Sequence, residues 1–193
     1  MAQNRVRIIG GQWRSRLLRF PDIEGLRPTP DRVRETLFNW LGQDLTGTGC
    51  LDLYAGSGAL GFEAASRGAR HVVLVERDRE IVRSLQANAQ ALQVATGSVE
   101  VVRADALEFL SQDRRIYDVV FVDPPYALWE KSEGIAATLL SKLANHLKPE
   151  ARVYLESPAL LELPSGWQTV RQGRAGAVHY QLLSYQLPRT RVE

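Results

Sequence analysis

Asp52-Leu53-Tyr54-Ala55-Gly56-Ser57-Gly58 turns a short apolar run into a glycine-rich bend. Residues 50–54 predict a strand, and residues 57–67 predict a helix with Leu60, Ala64 and Ala65 inward and Gly68 as the helix-ending residue. A strand, a glycine turn and a helix in that order form a unit able to hold a nucleotide-like ligand. Beyond it, short apolar runs alternate with helical stretches: strands at 71–76, 98–103, 117–122 and 152–156, helices at 79–92, 107–112 and 132–147, the last stopping before Pro149. Residues 167–172 and 178–187, separated by Gly173-Arg174-Ala175-Gly176-Ala177, predict a closing antiparallel hairpin. The expected fold is α/β: a doubly wound, mostly parallel seven-stranded sheet with an antiparallel final hairpin.

Upstream, residues 6–10 and 14–20, joined through Gly11-Gln12-Trp13, suggest a small N-terminal β-hairpin. A helix over 31–41 follows, with Thr29-Pro30-Asp31 as its start signal and residues 21–30 as a linker. The expected division is an N-terminal extension, 1–43, packed on a core domain, 44–193.

A chain of 193 residues, 45% of them hydrophobic, is long enough for one full-sized core. The single cysteine, Cys50, excludes an internal disulfide framework, nothing near it has metal-ligand spacing, and no metal is expected. Met1-Ala2-Gln3-Asn4-Arg5 lacks an apolar leader segment, and no run approaches the roughly 20 apolar residues that span a bilayer. A soluble, cytoplasmic monomer is expected.

The net charge is only +2, but its distribution is uneven. The first twenty residues carry Arg5, Arg7, Arg14, Arg16 and Arg19 without an acidic residue, and the C-terminal stretch adds Arg171, Arg174, Arg189 and Arg191. A guanidinium is a planar fork that matches phosphate oxygens and stacks on bases. Any one of these arginines can be simple solvated surface. Taken together, with Trp13 interleaved, they favour nucleic acid.

The glycine turn alone is ambiguous, because Gly56-Ser57-Gly58-Ala59-Leu60-Gly61 also satisfies the dinucleotide pattern. Glu76, twenty residues after Gly56 at a strand end, is placed to accept from a ribose diol in either case. Asp52 and Asp105 separate the readings: added carboxylates suit the sulfonium and ammonium of S-adenosylmethionine and would repel a pyrophosphate. Glu76 and Asp105 can each also be an ordinary strand end or helix cap. Their recurrence at the C-terminal ends of successive strands, where open α/β sheets bind ligands, argues for the site.

About seventy residues on, Val119-Val120-Phe121-Val122 runs into Asp123-Pro124-Pro125-Tyr126: a carboxylate, a rigid turn and an aromatic ring. Asp52 to Gly58 resembles the cofactor motif of class I methyltransferases, and Asp123 to Tyr126 resembles their amino-methylating [DNS]PP[YF] motif. Arg7-Ile8-Ile9-Gly10-Gly11-Gln12-Trp13-Arg14, Leu26-Arg27-Pro28-Thr29 and Asp31-Arg32-Val33-Arg34-Glu35-Thr36-Leu37-Phe38-Asn39-Trp40-Leu41 closely resemble the RsmD family. The likeness extends to Val178-His179-Tyr180, while loops 42–49 and 160–166 carry no family signature.

The resemblance implies a class I, Rossmann-like fold and transfer of a methyl group from S-adenosylmethionine to a guanine N2 of bacterial 16S rRNA. It implies that Asp123 and the Pro124 carbonyl hold the amine, that Pro125 stiffens the turn and that Tyr126 stacks on a flipped base. Asp52, Ala55, Gly56, Ser57, Gly58, Glu76, Asp105 and Ala106 are expected to hold the cofactor. Arg5, Arg7, Trp13, Arg14, Arg16, Arg27 and Arg34 are expected to meet RNA. Competing readings are an amino-methyltransferase on DNA or a protein amide, a non-catalytic RNA-binding assembly factor and, more distantly, an NAD-dependent oxidoreductase. His71, His146 and His179 are scattered and read as surface or packing residues, as do Phe38 and Trp40 on the 31–41 helix. Trp129 is read slightly in favour of the substrate pocket over loop covering.

Overall fold

In the inner strands β3 (Gly49–Asp52), β4 (His71–Glu76) and β6 (Tyr117–Val122), nearly every residue is buried, because apolar layers cover both faces of the sheet. Successive side chains of a strand point to opposite faces, and the two cores divide accordingly. Cys50, Val72, Leu74, Val119 and Phe121 enter one core; Leu51, Leu53, Val73, Val75, Val120 and Val122 enter the other. The first core takes residues from α1 (Asp31–Leu41), α2 (Ala59–Ser66) and α3 (Arg79–Ala91), and the second from α4 (Ala106–Gln112) and α6 (Ile135–Leu143). The computed structural model describes residues 3–131 and 134–186.

With β5 (Val99–Arg103), β7 (Leu147–Ser157), β8 (Trp167–Ala175) and β9 (Val178–Tyr185), the sheet has seven strands in the order β5-β4-β3-β6-β7-β9-β8. The pairs from β5 to β7 are parallel, and β9 pairs antiparallel with both β7 and β8. The sheet is the expected one. A separate two-stranded sheet joins β1 (Gln3–Arg7) to β2 (Leu17–Pro21).

Several boundaries differ from expectation for identifiable reasons. The N-terminal hairpin pairs Arg7 with Leu17, so residues 8–16 form a longer connection than the sequence suggested. Cross-strand hydrogen bonds persist at Ile8, with Ile8 N on Arg16 O and Ser15 N on Ile8 O at 2.9 Å, but the tip turns to α2: Gln12 N donates to Ser66 O at 2.8 Å, Trp13 N to Ser66 Oγ at 2.9 Å, and Ser66 Oγ to Gly10 O at 2.6 Å. Gly11, at φ 72°, lies so close to α2 that a Cβ would fall 1.8 Å from Ser66 O. The long helix expected over 132–147 is instead α5 (Tyr126–Lys131) and α6, with its expected start at Ser132 outside the described residues. A 3-10 turn follows α6, and β7 begins at Leu147, passing through Pro149 with a register shift between Tyr117 and Val119 of its partner β6. The final turn is tighter than expected, since Ala175 pairs with Val178. Leu187, Arg189 and Arg191 lie outside the described residues.

Helix α2 is buried on every side, although the sequence assigned it a single inner face. The sheet lies beneath it, and the N-terminal extension lies above: Val6, Ile8, Leu18, Phe20, Val33, Leu37 and Phe38 share one core with Phe62 and Ala64. Enclosed there, Glu63 accepts from Arg67 Nε at 2.8 Å, Arg34 Nη1 at 3.4 Å and the Ile9 amide at 2.8 Å. Arg34 therefore is not an RNA contact. It is fully buried, with its remaining donors on Thr29 O at 3.1 Å, Arg7 O at 2.8 Å and Asp31 Oδ1 at 2.6 Å. On a helix surface an arginine reads as exposed charge; only a buried glutamate from a distant helix gives it this role.

Candidate active site

Parallel pairing sets the site. Asp52 pairs with Leu74 and with Phe121, so the ends of β3, β4 and β6 emerge side by side. Val122 pairs with Leu155, so the following residues, Asp123 and Glu156, stand next to each other. Asp52, Glu76, Asp105, Asp123 and Glu156 thus converge along the C-terminal edge of the sheet, where a doubly wound fold binds its ligands.

Each carboxylate has its own setting. Asp52, 2% exposed, accepts from the Gly61 amide at 2.9 Å and fixes the start of α2. Burial, with Glu76 nearby, pushes its carboxyl up to about 7, against the opposing pull of the Gly61 amide. Glu76 accepts from Gly56 N at 3.1 Å and Asp78 N at 2.9 Å, so it shapes the glycine turn itself. Asp105 caps α4, its Oδ1 accepting from Leu107 N at 2.9 Å and Glu108 N at 3.3 Å. The cap uses one oxygen; the residue is otherwise exposed. Gly56 and Gly58 take φ of 49° and 78°, the left-handed conformations that bend the chain from β3 into α2.

Asp123 sits deep among protein atoms although part of the residue reaches the surface. Desolvation, then Glu156 and Asp52, push its carboxyl well above the ordinary range. Burial likewise raises Glu156, whose Oε1 accepts from the Tyr154 hydroxyl at 2.7 Å. Pro124 is buried, Pro125 is exposed, and Tyr126 is 48% exposed as the first residue of α5, leaving its ring open to a partner. Ala55, Ser57 and Ala106 are buried beneath the loops that carry them.

Sequence reasoning missed three contributors. Residues 22–30 are no linker: Leu26 Cδ1 lies 3.1 Å from where a Cβ on Gly56 would be, and Thr29 Oγ1 donates to Asp123 Oδ2 at 3.4 Å. Thr29 makes no side-chain cap on α1, whose cap position is Pro30. Glu156 passed unnoticed because a carboxylate ending a strand looks like a solvated end; the register with Asp123 was the available signal. Trp129 is half-buried and packs against the second core, which favours loop covering.

The basic residues of the extension divide. Arg5, Arg14 and Arg27 are exposed. Arg7 is exposed with Nη2 3.2 Å from Asp31, and Arg16 donates to Ala91 O, at the end of α3, at 2.7 Å. Trp13 is half-buried against the first core. The histidines are packing residues where buried: His146 holds its ring nitrogens 3.1 Å from Arg115 O and 2.9 Å from Leu110 O.

Residues 6–184 match the model of the family described as "Conserved hypothetical protein 95". The chain belongs to this family, the RsmD family. It is 44% identical over 182 residues to ribosomal RNA small subunit methyltransferase D of Escherichia coli K12, covering 92% of this chain and 88% of the relative. A solved structure, the putative methyltransferase yhhF from Escherichia coli, superposes with a TM-score of 0.82 at 41% identity, over 96% of this chain and 100% of the other. The Thermus thermophilus 16S rRNA N2 G1207 methyltransferase RsmC, solved with AdoMet and guanosine, shares the fold at TM-score 0.70 and 22% identity, over 96% of this chain and 50% of its own. The RsmD chain described here thus has the class I methyltransferase architecture, with its closing antiparallel hairpin and added N-terminal hairpin.

Proposed function

We propose that this RsmD chain transfers the methyl group of S-adenosylmethionine to the exocyclic N2 of a guanine in small-subunit (16S) ribosomal RNA, in the cytoplasm where that RNA is found. The observation that carries the reading is the register of β3 with β6, which sets Asp123 and the glycine turn on adjacent strand ends. The relatives at 44% and 41% identity, named as methyltransferases, support it.

The residues present fit the cofactor. Asp52, Glu76, Asp105, Asp123 and Glu156 lie along the edge with no cationic side chain within 4 Å among the described residues, a set of acceptors suited to a ligand bearing sulfonium and ammonium charges. Gly56, Gly58 and Ala55 form the bend, Ser57 and Ala106 back it, and Glu76 retains lone pairs for a ribose diol. When bound, S-adenosylmethionine supplies an already activated methyl group.

The chain's own task is positioning. The guanine amine is a weak nucleophile because its lone pair is delocalised into the ring. Asp123 and the Pro124 carbonyl accept its two N–H groups and favour a tetrahedral nitrogen, while Pro125 stiffens the turn and Tyr126 stacks on the extruded base. Methylation would leave that nitrogen positive, and Asp123, with its raised proton affinity, is the adjacent acceptor for the proton it must shed. Residues 1–43 act as the RNA-contacting extension of the 44–193 methyltransferase domain, with Arg5, Arg7, Trp13, Arg14, Arg16 and Arg27 as its contacts.

Transfer of a tritiated methyl group to bacterial ribosomal RNA, free and in small subunits, tests the reading, with nucleoside digestion to locate the label on guanine N2. Label entering DNA or protein instead, or cofactor binding without transfer to any acceptor, would overturn it.

A further inference from the structure

The sheet separates charge from end to end. Carboxylates occupy the C-terminal edge; at the opposite edge Arg70 precedes β4, Arg114 and Arg115 precede β6, Lys148 lies at the start of β7 and Lys142 near the end of α6. Two cavities of about 390 and 420 Å³ open there, and Arg114 lines both, joining them into one strip. Some of the charge is compensated: Arg115 meets Glu100 at 2.6 Å and Asp113 at 2.7 Å, and Lys148 meets Asp118 at 2.7 Å. Arg70, Arg114 and Lys142 have no carboxylate within 4 Å among the described residues, and Lys142 Nζ instead reaches Ser111 Oγ at 3.0 Å.

We propose that this strip is a second RNA contact, which holds backbone phosphates of a segment other than the one carrying the target guanine. The inference rests on the reading of the chain as a ribosomal RNA methyltransferase and adds the form of its substrate. The strip spans β4, β3, β6 and β7, about 14 Å at the usual strand spacing, enough for several cationic contacts along one backbone. Arginine forks match phosphate oxygens, and cations with no carboxylate in contact gain most from a polyanion. The six-residue strands β4 and β6 separate the two edges by about 20 Å, and the carboxylates of the catalytic edge repel phosphate. One short stem feeding a base into the catalytic edge cannot also cover the strip. An RNA folded so that two backbone segments flank the sheet can.

The test is the triple variant Arg70→Gln/Arg114→Gln/Lys142→Gln, with affinity measured across salt concentrations for whole small-subunit rRNA and for a short target stem-loop. The expected result is an affinity for the whole rRNA about tenfold weaker at 0.15 M salt, with the log–log salt slope shallower by about three. Stem-loop affinity and kcat at saturating substrate stay unchanged, and the charge-keeping Arg70→Lys/Arg114→Lys variant keeps the parental salt slope. Parental affinity and slope in the triple variant, or equal losses on both RNAs, would overturn the inference. So would a photocrosslink from position 114 that, in small subunits, captures protein and no RNA. If the parent enzyme methylates no RNA, the proposed function fails, and the comparison of the two RNAs still reads the strip separately.

Discussion

Thr29 Oγ1 lies 3.4 Å from Asp123 Oδ2, although 94 residues separate them in the chain. The Thr29 carbonyl accepts from Arg34 Nε at 3.1 Å, and Arg34 is held by Glu63. A buried ion pair thus fixes a residue of the N-terminal extension against the proposed amine acceptor. Thr29→Val keeps the shape and removes the donor. It should lower kcat/KM for methyl transfer about threefold to tenfold, with S-adenosylmethionine affinity unchanged by calorimetry.

Asp123→Ala should reduce methyl transfer by about a hundredfold or more while leaving cofactor binding intact. Asp123→Asn retains an acceptor oxygen and should fall between parent and Ala. Equal losses in transfer and in cofactor affinity would remove Asp123 from the role given to it.

The Asp123–Glu156 pair predicts a pH dependence. Asp123 is the stronger acceptor, and can take up the amine's proton, only when ionised, and desolvation with Glu156 and Asp52 raises its carboxyl, so kcat/KM should climb with pH over a range above ordinary aspartate titration. Glu156→Gln removes one negative neighbour and should move that acid limb down by about one pH unit. An unmoved limb in the Gln variant would show that the two carboxyls do not interact.

Asp52 affects stability with the opposite sense to a salt-bridged aspartate. Its folded value, about 7, lies above its ordinary 3.8, so the folded state binds the proton more tightly. The resulting stabilisation is complete below about pH 4 and is lost as pH rises to about 7. Asp52→Asn keeps an oxygen for the Gly61 amide and never ionises. The melting temperature of this variant relative to the parent should therefore rise between pH 5 and pH 7 and level off above.

Arg34→Ala leaves Glu63 buried with Arg67 as its only cationic partner among the described residues. A loss of about 3–5 kcal/mol in unfolding free energy is expected in urea titration. The salt slope of RNA binding should not change, which separates a core role from a phosphate contact.

Element type was legible in this sequence wherever apolar periodicity dominated. The 31–41 helix, bounded by Pro30 and Gly42, and the strands at 71–76 and 117–122, apolar runs buried by tertiary layers, match residue for residue. The 132–147 stretch misled because α6 passes through a 3-10 turn at Ala144–His146 into the next strand, with no glycine between Leu143 and Leu147 to mark the helix end. Within the site, the motif residues were visible because each sits at a strand end. Thr29, Leu26 and Glu156 were not, since their placement depends on how distant segments pack, and periodicity carries no record of that. Arg34 shows the same limit in reverse: a guanidinium four residues from Phe38 carries no local mark of being enclosed.

The glutamate inside α2 constrains any attempt to transplant specificity. Replacing the hairpin with one from another nucleic-acid enzyme, while discarding helix α1, would strip Arg34 from Glu63 and leave an anion with half its neutralisation in a dry interior. The helix behind the hairpin has to stay with the core: a chimera joined at Pro21 keeps Arg34 against Glu63, whereas one joined after Leu41 forfeits that charge balance unless the incoming helix brings its own cation.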